Sequence, residues 1–379
     1  MGKKVRILCL DGGGIRGIIP ATVMQYLEEK LIEFSENNDA RIADYFDMIV
    51  GTSTGGILAC YYLFPNPERH LPNTPNSKYT AREALEFYIH KGKFIFDDSK
   101  KKSWFGIRQL FNATRFSSDN IESIFNEQFG EVMYNELLQR CIVTAYNLQT
   151  QKSIFFNNRE KRQKAQVRKF KIKDVARSTS AAPTYFSPAK IINYANNSEM
   201  VNIDGGVFGN NPTMCAYAEA RTTYFESVAI THPSAKDMMI LSIGTGSSNM
   251  ELKNVSKSGD WGVINWAKSI PDIMMDGGLD TVNYQVNLLF DTLTGEDKKN
   301  YKRVDVPESL RNAYYNSDMS DASKENIDKL QSAGKKTIAN ANKTKPNEHT
   351  LDEFIRKLVE INRLIKEDEA SLPSSPSTV

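Results

Sequence analysis

Phe46-Asp47-Met48-Ile49-Val50-Gly51-Thr52-Ser53-Thr54-Gly55-Gly56-Ile57-Leu58-Ala59 is an apolar run, then a turn of small residues, then a helix-like continuation. Its centre reads Gly-x-Ser-x-Gly, with Gly51, Ser53 and Gly55 in the fixed positions. In a nucleophile elbow a serine sits on a sharp strand-to-helix turn, and glycines two residues to either side leave room for a strained backbone and a close helix. That turn lifts the hydroxyl clear of the sheet and aims the first N–H groups of the helix at the reacting centre, where a developing oxyanion is stabilised. A glycine-rich turn also occurs for structural reasons alone, so the flanks matter. Met48-Ile49-Val50 predicts a buried strand end and Ile57 to Phe64 a packed helix, which is the context an elbow needs. Ser53 is the candidate nucleophile.

Upstream, the aliphatic run Val5 to Leu10 ends in Asp11-Gly12-Gly13-Gly14-Ile15-Arg16-Gly17, and a helix is predicted from about Pro20 to Phe34. This loop has three readings. Gly12-x-Gly14-x-x-Gly17 matches a dinucleotide fingerprint, but the next strand ends in Gly51-Thr52-Ser53 where that reading wants an acidic residue. A tight structural turn is the second. The third, which we favour, is an anion cradle: the N–H groups of successive glycines converge, and Arg16 reinforces either the loop or the anion. Two strand-loop-helix units in one parallel sheet would set this loop beside Ser53 at the carboxyl ends of the strands.

Farther on, Pro65 to Lys78 reads as an exposed loop, and Thr80-Ala81-Arg82-Glu83 as a capping box opening a helix through His90. Lys91 to Arg115 interleaves aromatics with cations. It fits either a lipid interface or a loop over the core with a solvated basic edge. A helix is expected over Asp119 to Leu138, paired strands over Cys141 to Asn147 and Ser153 to Asn157, and a basic cluster from Arg159 to Lys173, either a solvated hairpin tip or an anion-attracting surface. A short helix over Asp174 to Ala182 follows. Met200 to Asp204 predicts a strand ending in an acid and two glycines, Gly205 and Gly206, with a helix from Pro212 to about Phe225 and a buried strand over Met238 to Ile243. The remainder reads as helix over Asp260 to Asp291, Ser320 to Asn340 and Thr350 to Asp368, with a last strand at Tyr301 to Val306.

A serine nucleophile needs a proton acceptor, ordinarily a histidine held by a carboxylate. None of the chain's four histidines ends an apolar strand beside a small-residue turn. His232 and His349 stay open as members of a Ser-His-Asp site of α/β-hydrolase order. Asp204 is better placed. In a partly dry site its basicity would rise above the ordinary carboxylate range, and a Ser53–Asp204 dyad would result.

The 379 residues carry 48 basic and 46 acidic side chains, a net charge of +2, so bulk charge gives no reason to expect a nucleic acid polymer as partner. Cys9, Cys60, Cys141 and Cys215 are widely spaced and read as free thiols of a reducing compartment. The N-terminus lacks a signal-peptide apolar core, and no run approaches 18 apolar residues. A cytoplasmic protein is expected. The chain divides into an α/β core over 5–250, a mainly helical part over 251–370 packed on it, and a Ser/Pro-rich disordered tail over 371–379.

Taken together, the glycine loop Asp11 to Gly17, the elbow Gly51 to Gly55 and Asp204-Gly205-Gly206 resemble the patatin-like phospholipase family, specifically over about residues 5 to 225, with Trp261 to Phe290 similar to the later helical part of its plant-type branch. The resemblance implies an α/β fold of three layers, with a mainly parallel central sheet flanked by helices and a helical C-terminal third. It implies a lipid acyl hydrolase of phospholipase A type with Ser53 and Asp204 catalytic. Gly12, Gly13, Gly14 and Arg16 would form the oxyanion loop with help from Thr54, while Gly17, Gly51, Gly55, Gly205 and Gly206 complete the motifs. No metal or other cofactor is implied. Expected partners are a phospholipid membrane, bound peripherally at its inner surface, and, by similarity to bacterial antiphage phospholipase effectors, a cyclic nucleotide activator. Self-association stays open, as does a non-enzymatic nucleotide-binding module.

Overall fold

The computed structural model describes residues 2–71, 74–97, 114–159, 168–246, 263–311, 314–316, 318–346 and 348–371. Eight strands form one sheet: β1 (Val5–Leu10), β2 (Met48–Thr52), β3 (Arg140–Asn147), β4 (Lys152–Asn157), β5 (Ala189–Asn193), β6 (Ser198–Asp204), β7 (Met238–Ile243) and β8 (Tyr301–Val304). Their order is β8-β7-β1-β2-β3-β6-β5, with β4 also on β3. The run β8-β7-β1-β2-β3 is parallel throughout, whereas β4, β5 and β6 pair antiparallel. Every residue of β1, β2 and β7 is buried, as a parallel sheet with helices on both faces requires.

Among the described residues the helices longer than one turn are α1 (Ile18–Ser35), α2 (Thr54–Leu63), α3 (Ala81–Ile95), α4 (Ser118–Phe129), α5 (Ile172–Thr179), α6 (Thr213–Ala220), α7 (Val263–Asp291), α8 (Lys324–Ala341) and α9 (Leu351–Ser371). The fold is thus the α/β architecture of a mixed, mostly parallel sheet flanked by helices. α9 buries Leu351, Phe354, Ile355, Leu358 and Ile361 and packs with α8 against α1. Thr80 and Glu83 cap α3 reciprocally, and the helix runs to Ile95, past His90. Residues 98–113 and 160–167, the middles of the two basic stretches, lie outside the described residues. All four cysteines are free thiols, three buried and Cys215 half-buried.

Several expected elements differ; the helix expected from Ser320 begins at Lys324, and the last strand ends at Val304 and not at Val306. The helix expected to reach Leu138 stops at Phe129, because Gly130 turns to φ 52° and only one 3-10 turn, Tyr134–Glu136, follows. The helix expected to reach Phe225 stops at Ala220, since Tyr224–Phe225 pairs with Ile230–Thr231 as a small antiparallel ribbon. The short helix spans Ile172–Thr179, two residues earlier at its start than expected.

Strand order alone brings the distant motifs together. β2 lies parallel along β3 up to the pair Thr52–Thr144, and β6 runs antiparallel to β3 and ends at the pair Asp204–Ala145. β4 pairs with β3 across both positions and so takes the opposite edge, which leaves β2 and β6 on the same one. The carboxyl ends of β2 and β6 therefore meet head to head, and Ser53 follows directly at the junction.

At the other end of the sheet, Arg6 and Asp47 form a buried pair. Arg6 Nη2 donates to Asp47 Oδ1 at 2.7 Å and Nε to Oδ2 at 3.0 Å, while Nη1 reaches Asn362 Oδ1 on α9 at 2.8 Å. Removing one partner of such a pair leaves an uncompensated buried charge. Asp47→Ala should therefore cost about 3 kcal/mol or more of stability, read as a shift of the denaturant midpoint. An unchanged midpoint would show that the pair is not a tie between the sheet and the C-terminal helix.

Candidate active site

Ser53 occupies φ 53°, ψ −123°, a backbone region that a side-chain-bearing residue adopts only under constraint, at a cost of about 1–3 kcal/mol. The constraints are visible. A Cβ on Gly51 would meet Gly55 O at 2.3 Å, and one on Gly55 would meet Leu10 O at 2.1 Å, so the turn closes only because both lack one. The Ser53 N–H donates to Thr179 Oγ1 at 2.8 Å, and that hydroxyl donates in turn to Thr144 O at 2.7 Å. α5 and β3 thus hold the elbow from behind.

Ser53 Oγ donates to Asp204 Oδ2 at 2.5 Å, and the Gly206 N–H donates to Oδ1 at 2.7 Å. Ser53 is 7% and Asp204 3% exposed, so water competes little for either group. Burial pushes the Asp204 carboxyl up to about 7; the hydrogen bonds from Ser53 and Gly206 pull it down but do not cancel that cost. A carboxyl with that affinity can hold a proton taken from a serine hydroxyl near neutral pH, the requirement for a general base.

The four histidines are elsewhere. His70, His90 and His232 are exposed, and His232 Nδ1 lies 3.2 Å from Arg221 O. His349 Nε2 is 3.4 Å from Glu296. None lines the cleft at Ser53, so no Ser-His-Asp arrangement is assembled.

The glycine loop lies against the serine: a Cβ on Gly12 would come within 3.1 Å of Ser53 Cβ. The Gly12 N–H is taken by Asn210 O at 3.1 Å, and the Ile15 N–H by Met319 O at 2.8 Å. Among the described residues the amides of Gly13 and Gly14 have no acceptor of their own, which leaves these two as the loop's free donors. Gly12 therefore serves the loop's shape and not the oxyanion expected of it. Arg16, 2% exposed, resolves the choice left open by its sequence: Nη1 donates to Gly246 O at 3.1 Å and Nε to Gly13 O at 3.4 Å, so it binds the loop and not an anion. Thr54 opens α2 with its hydroxyl bonded to Tyr88, which leaves its backbone N–H for the site.

An apolar cleft at Ser53 is lined by Ile57, Phe87, Ile121 and Phe186, with Gly14 and Met319 also in its wall. Phe96 and Phe116 join Phe186 in an aromatic cluster, with ring centroids 5.4 and 5.8 Å from Phe116. A buried serine and carboxylate at the foot of an aromatic-lined cleft suit an ester whose acyl part is a hydrocarbon chain.

The family model of the patatin-like phospholipases matches residues 8–217, more than half of the chain. The chain belongs to the patatin-like phospholipase family. It is 30% identical over 353 residues to patatin-like protein 2 of Oryza sativa subsp. indica, covering 88% of this chain and 83% of that one. It is 29% identical over 358 residues to patatin-like protein 1 of Arabidopsis thaliana (89% and 82% covered) and 29% over 372 residues to patatin of Solanum tuberosum (95% and 90%). Membership of a family of lipid acyl hydrolases agrees with the chemistry of the patatin-like site.

Sequence reasoning missed Thr144, Thr179 and Tyr88. Each acts through a contact made only when β3, α5 and α3 reach the elbow, and an isolated threonine or tyrosine carries no spacing that announces it.

Two pH effects follow for the patatin-like carboxyl. Its folded value, about 7, lies above the ordinary 3.8, so the native state holds the proton more tightly, and stability falls as pH rises from about 4 to about 7. Asp204→Asn should remove that loss and gain stability over the native chain at pH 8 more than at pH 4, as melting curves would show. Phosphonylation of Ser53 by a fluorophosphonate should rise with pH through a midpoint near 7 in the native chain and become slow and pH-independent in Asp204→Asn. A midpoint near 4 would put the carboxyl in water.

Proposed function

We propose that this protein hydrolyses the acyl esters of membrane phospholipids, as a phospholipase A, through a Ser53–Asp204 dyad. The observation that carries the reading is the 2.5 Å contact between Ser53 Oγ and a buried, proton-avid Asp204 at the foot of an apolar cleft. Asp204 takes the proton as Ser53 Oγ attacks the ester carbonyl. The amides of Gly13, Gly14 and Thr54 receive the oxyanion. Asp204 then gives the proton to the departing alcohol oxygen, leaving an acyl-enzyme, takes another from the water that attacks it, and returns that proton to Ser53 Oγ as the fatty acid leaves.

No helix among the described residues is long and apolar enough to cross a membrane. In this reading the enzyme works from the cytoplasm, peripherally at the inner membrane surface. Activation by a cyclic nucleotide in antiphage defence belongs to the reading through the resemblance to such effectors alone. Membership of the family supports lipid acyl hydrolysis, and the arrangement of the site favours the dyad over a histidine triad.

The test is fatty acid release from vesicles of phosphatidylethanolamine and phosphatidylglycerol by the purified protein, with and without a panel of cyclic oligonucleotides. Release is expected from the native chain and from His232→Gln and His349→Gln. It should fall by at least about a hundredfold in Ser53→Ala and Asp204→Asn, in line with loss of nucleophile or base. Full activity in Ser53→Ala, or collapse in either histidine variant, overturns the dyad. A nucleotide that raises release supports gating, and release independent of the whole panel removes it.

A further inference from the structure

Behind the glycine loop, Arg16 is one of a set of side chains that hold its carbonyls. Thr245, buried just after the end of β7, donates through Oγ1 to Gly12 O at 2.6 Å. Arg16 Nε and the Arg16 N–H both point to Gly13 O, at 3.4 and 3.1 Å. The segment carrying Thr245 is itself held, because the Gly246 N–H donates to Asp305 Oδ1 at 2.9 Å and Gly246 O accepts from Arg16. Arg303 ties Asp305 (2.7 Å) to the fully buried Asp11 (2.5 and 3.1 Å) at the root of the loop.

A trans peptide is planar, with its C=O and N–H directed oppositely. The Gly12 carbonyl and the Gly13 N–H belong to one such plane, and the Gly13 carbonyl and the Gly14 N–H to the next. Fixing each oxygen from behind therefore fixes where the amide in front points. Glycines have no side chain to hold them, and of all residues they gain most from such a grip. A hydrogen bond to the carbonyl also polarises its amide and strengthens it as a donor.

We propose that Thr245 is a positioning residue of the oxyanion hole: its hydroxyl, gripping Gly12 O, aims the Gly13 N–H at the oxyanion, while Arg16 does the same for Gly14. Asp305 and Arg303 hold these two in place from the edge strand. This rests on the Ser53 acyl-transfer reading, in which Gly13 and Gly14 are the donors.

Thr245→Val keeps the side chain's shape and removes the donor, and Thr245→Ser restores the donor. Three quantities are measured in each: kcat and KM for a soluble fatty acyl ester, inhibition by a fatty acyl trifluoromethyl ketone, and inhibition by a fatty alcohol of equal length. The ketone adds Ser53 and places an oxyanion in the hole; the alcohol fills the cleft and does not. Thr245→Val should lower kcat by about tenfold or more, short of the 10²–10³ that loss of a donor itself costs, with KM little changed. Affinity for the ketone should weaken by the same factor while affinity for the alcohol stays, and Thr245→Ser should recover most of both losses. The proposal is overturned if Thr245→Val leaves kcat and ketone affinity within about twofold, or if ketone and alcohol weaken together, as a merely disturbed cleft requires. Should Thr245→Val fail to fold, failure of Thr245→Ser to restore kcat and ketone affinity to near native overturns it equally. A native chain that neither cleaves the ester nor binds the ketone rejects the acyl-transfer reading itself, a result distinct from each of these.

Discussion

Two strands that end head to head on one edge of a third are the constraint on which the rest depends. β2 and β6 share an edge of β3, and the pairs Thr52–Thr144 and Asp204–Ala145 are adjacent along it. Backbone hydrogen bonding alone thus sets the distance between nucleophile and carboxylate, before any side chain is chosen. What side chains add is direction: Thr179 and Thr144 hold the elbow, and the Gly206 amide holds the carboxylate so that Oδ2 faces the serine.

A dyad asks more of its carboxylate than a triad does. In a triad the histidine brings a suitable proton affinity, and the acid only orients it. In the proposed dyad the acid must supply that affinity itself, and burial is the means: it raises Asp204 from the ordinary carboxylate range to about 7.

Much of this was legible in the chain itself. Val5 to Leu10 and Met48 to Val50 are apolar runs ended by glycine turns, and their parallel pairing follows from the two strand-loop-helix units. Asp204 was legible for the same reason, an acid ending a strand before two glycines. Helix ends were less so, because Gly130 and the ribbon at Tyr224–Phe225 stop helices whose apolar spacing continues beyond them. The orientation of Arg16 was not legible at all: a guanidinium after a glycine loop suits an anion and a carbonyl equally, and only the nearness of Gly246, 230 residues later, decides between them. Thr144, Thr179 and Thr245 share that obscurity. Their work lies in which distant backbone group they meet, and no local pattern encodes it.

The order in which the parts of the site occur along the chain has a consequence for biosynthesis. The loop of residues 12–14 emerges first from the ribosome, and the serine soon after. The carboxylate follows only about 150 residues later, and the groups that grip the loop later still, with Asp305 the last. β1, moreover, lies between β2 and β7, so the centre of the sheet cannot close until β7 has been made. Such long sequence separations slow folding. They also mean that a nascent chain carries Ser53 without Asp204 beside it and without the groups that hold the glycine loop, so that the site is not assembled until the chain has been made past Asp305.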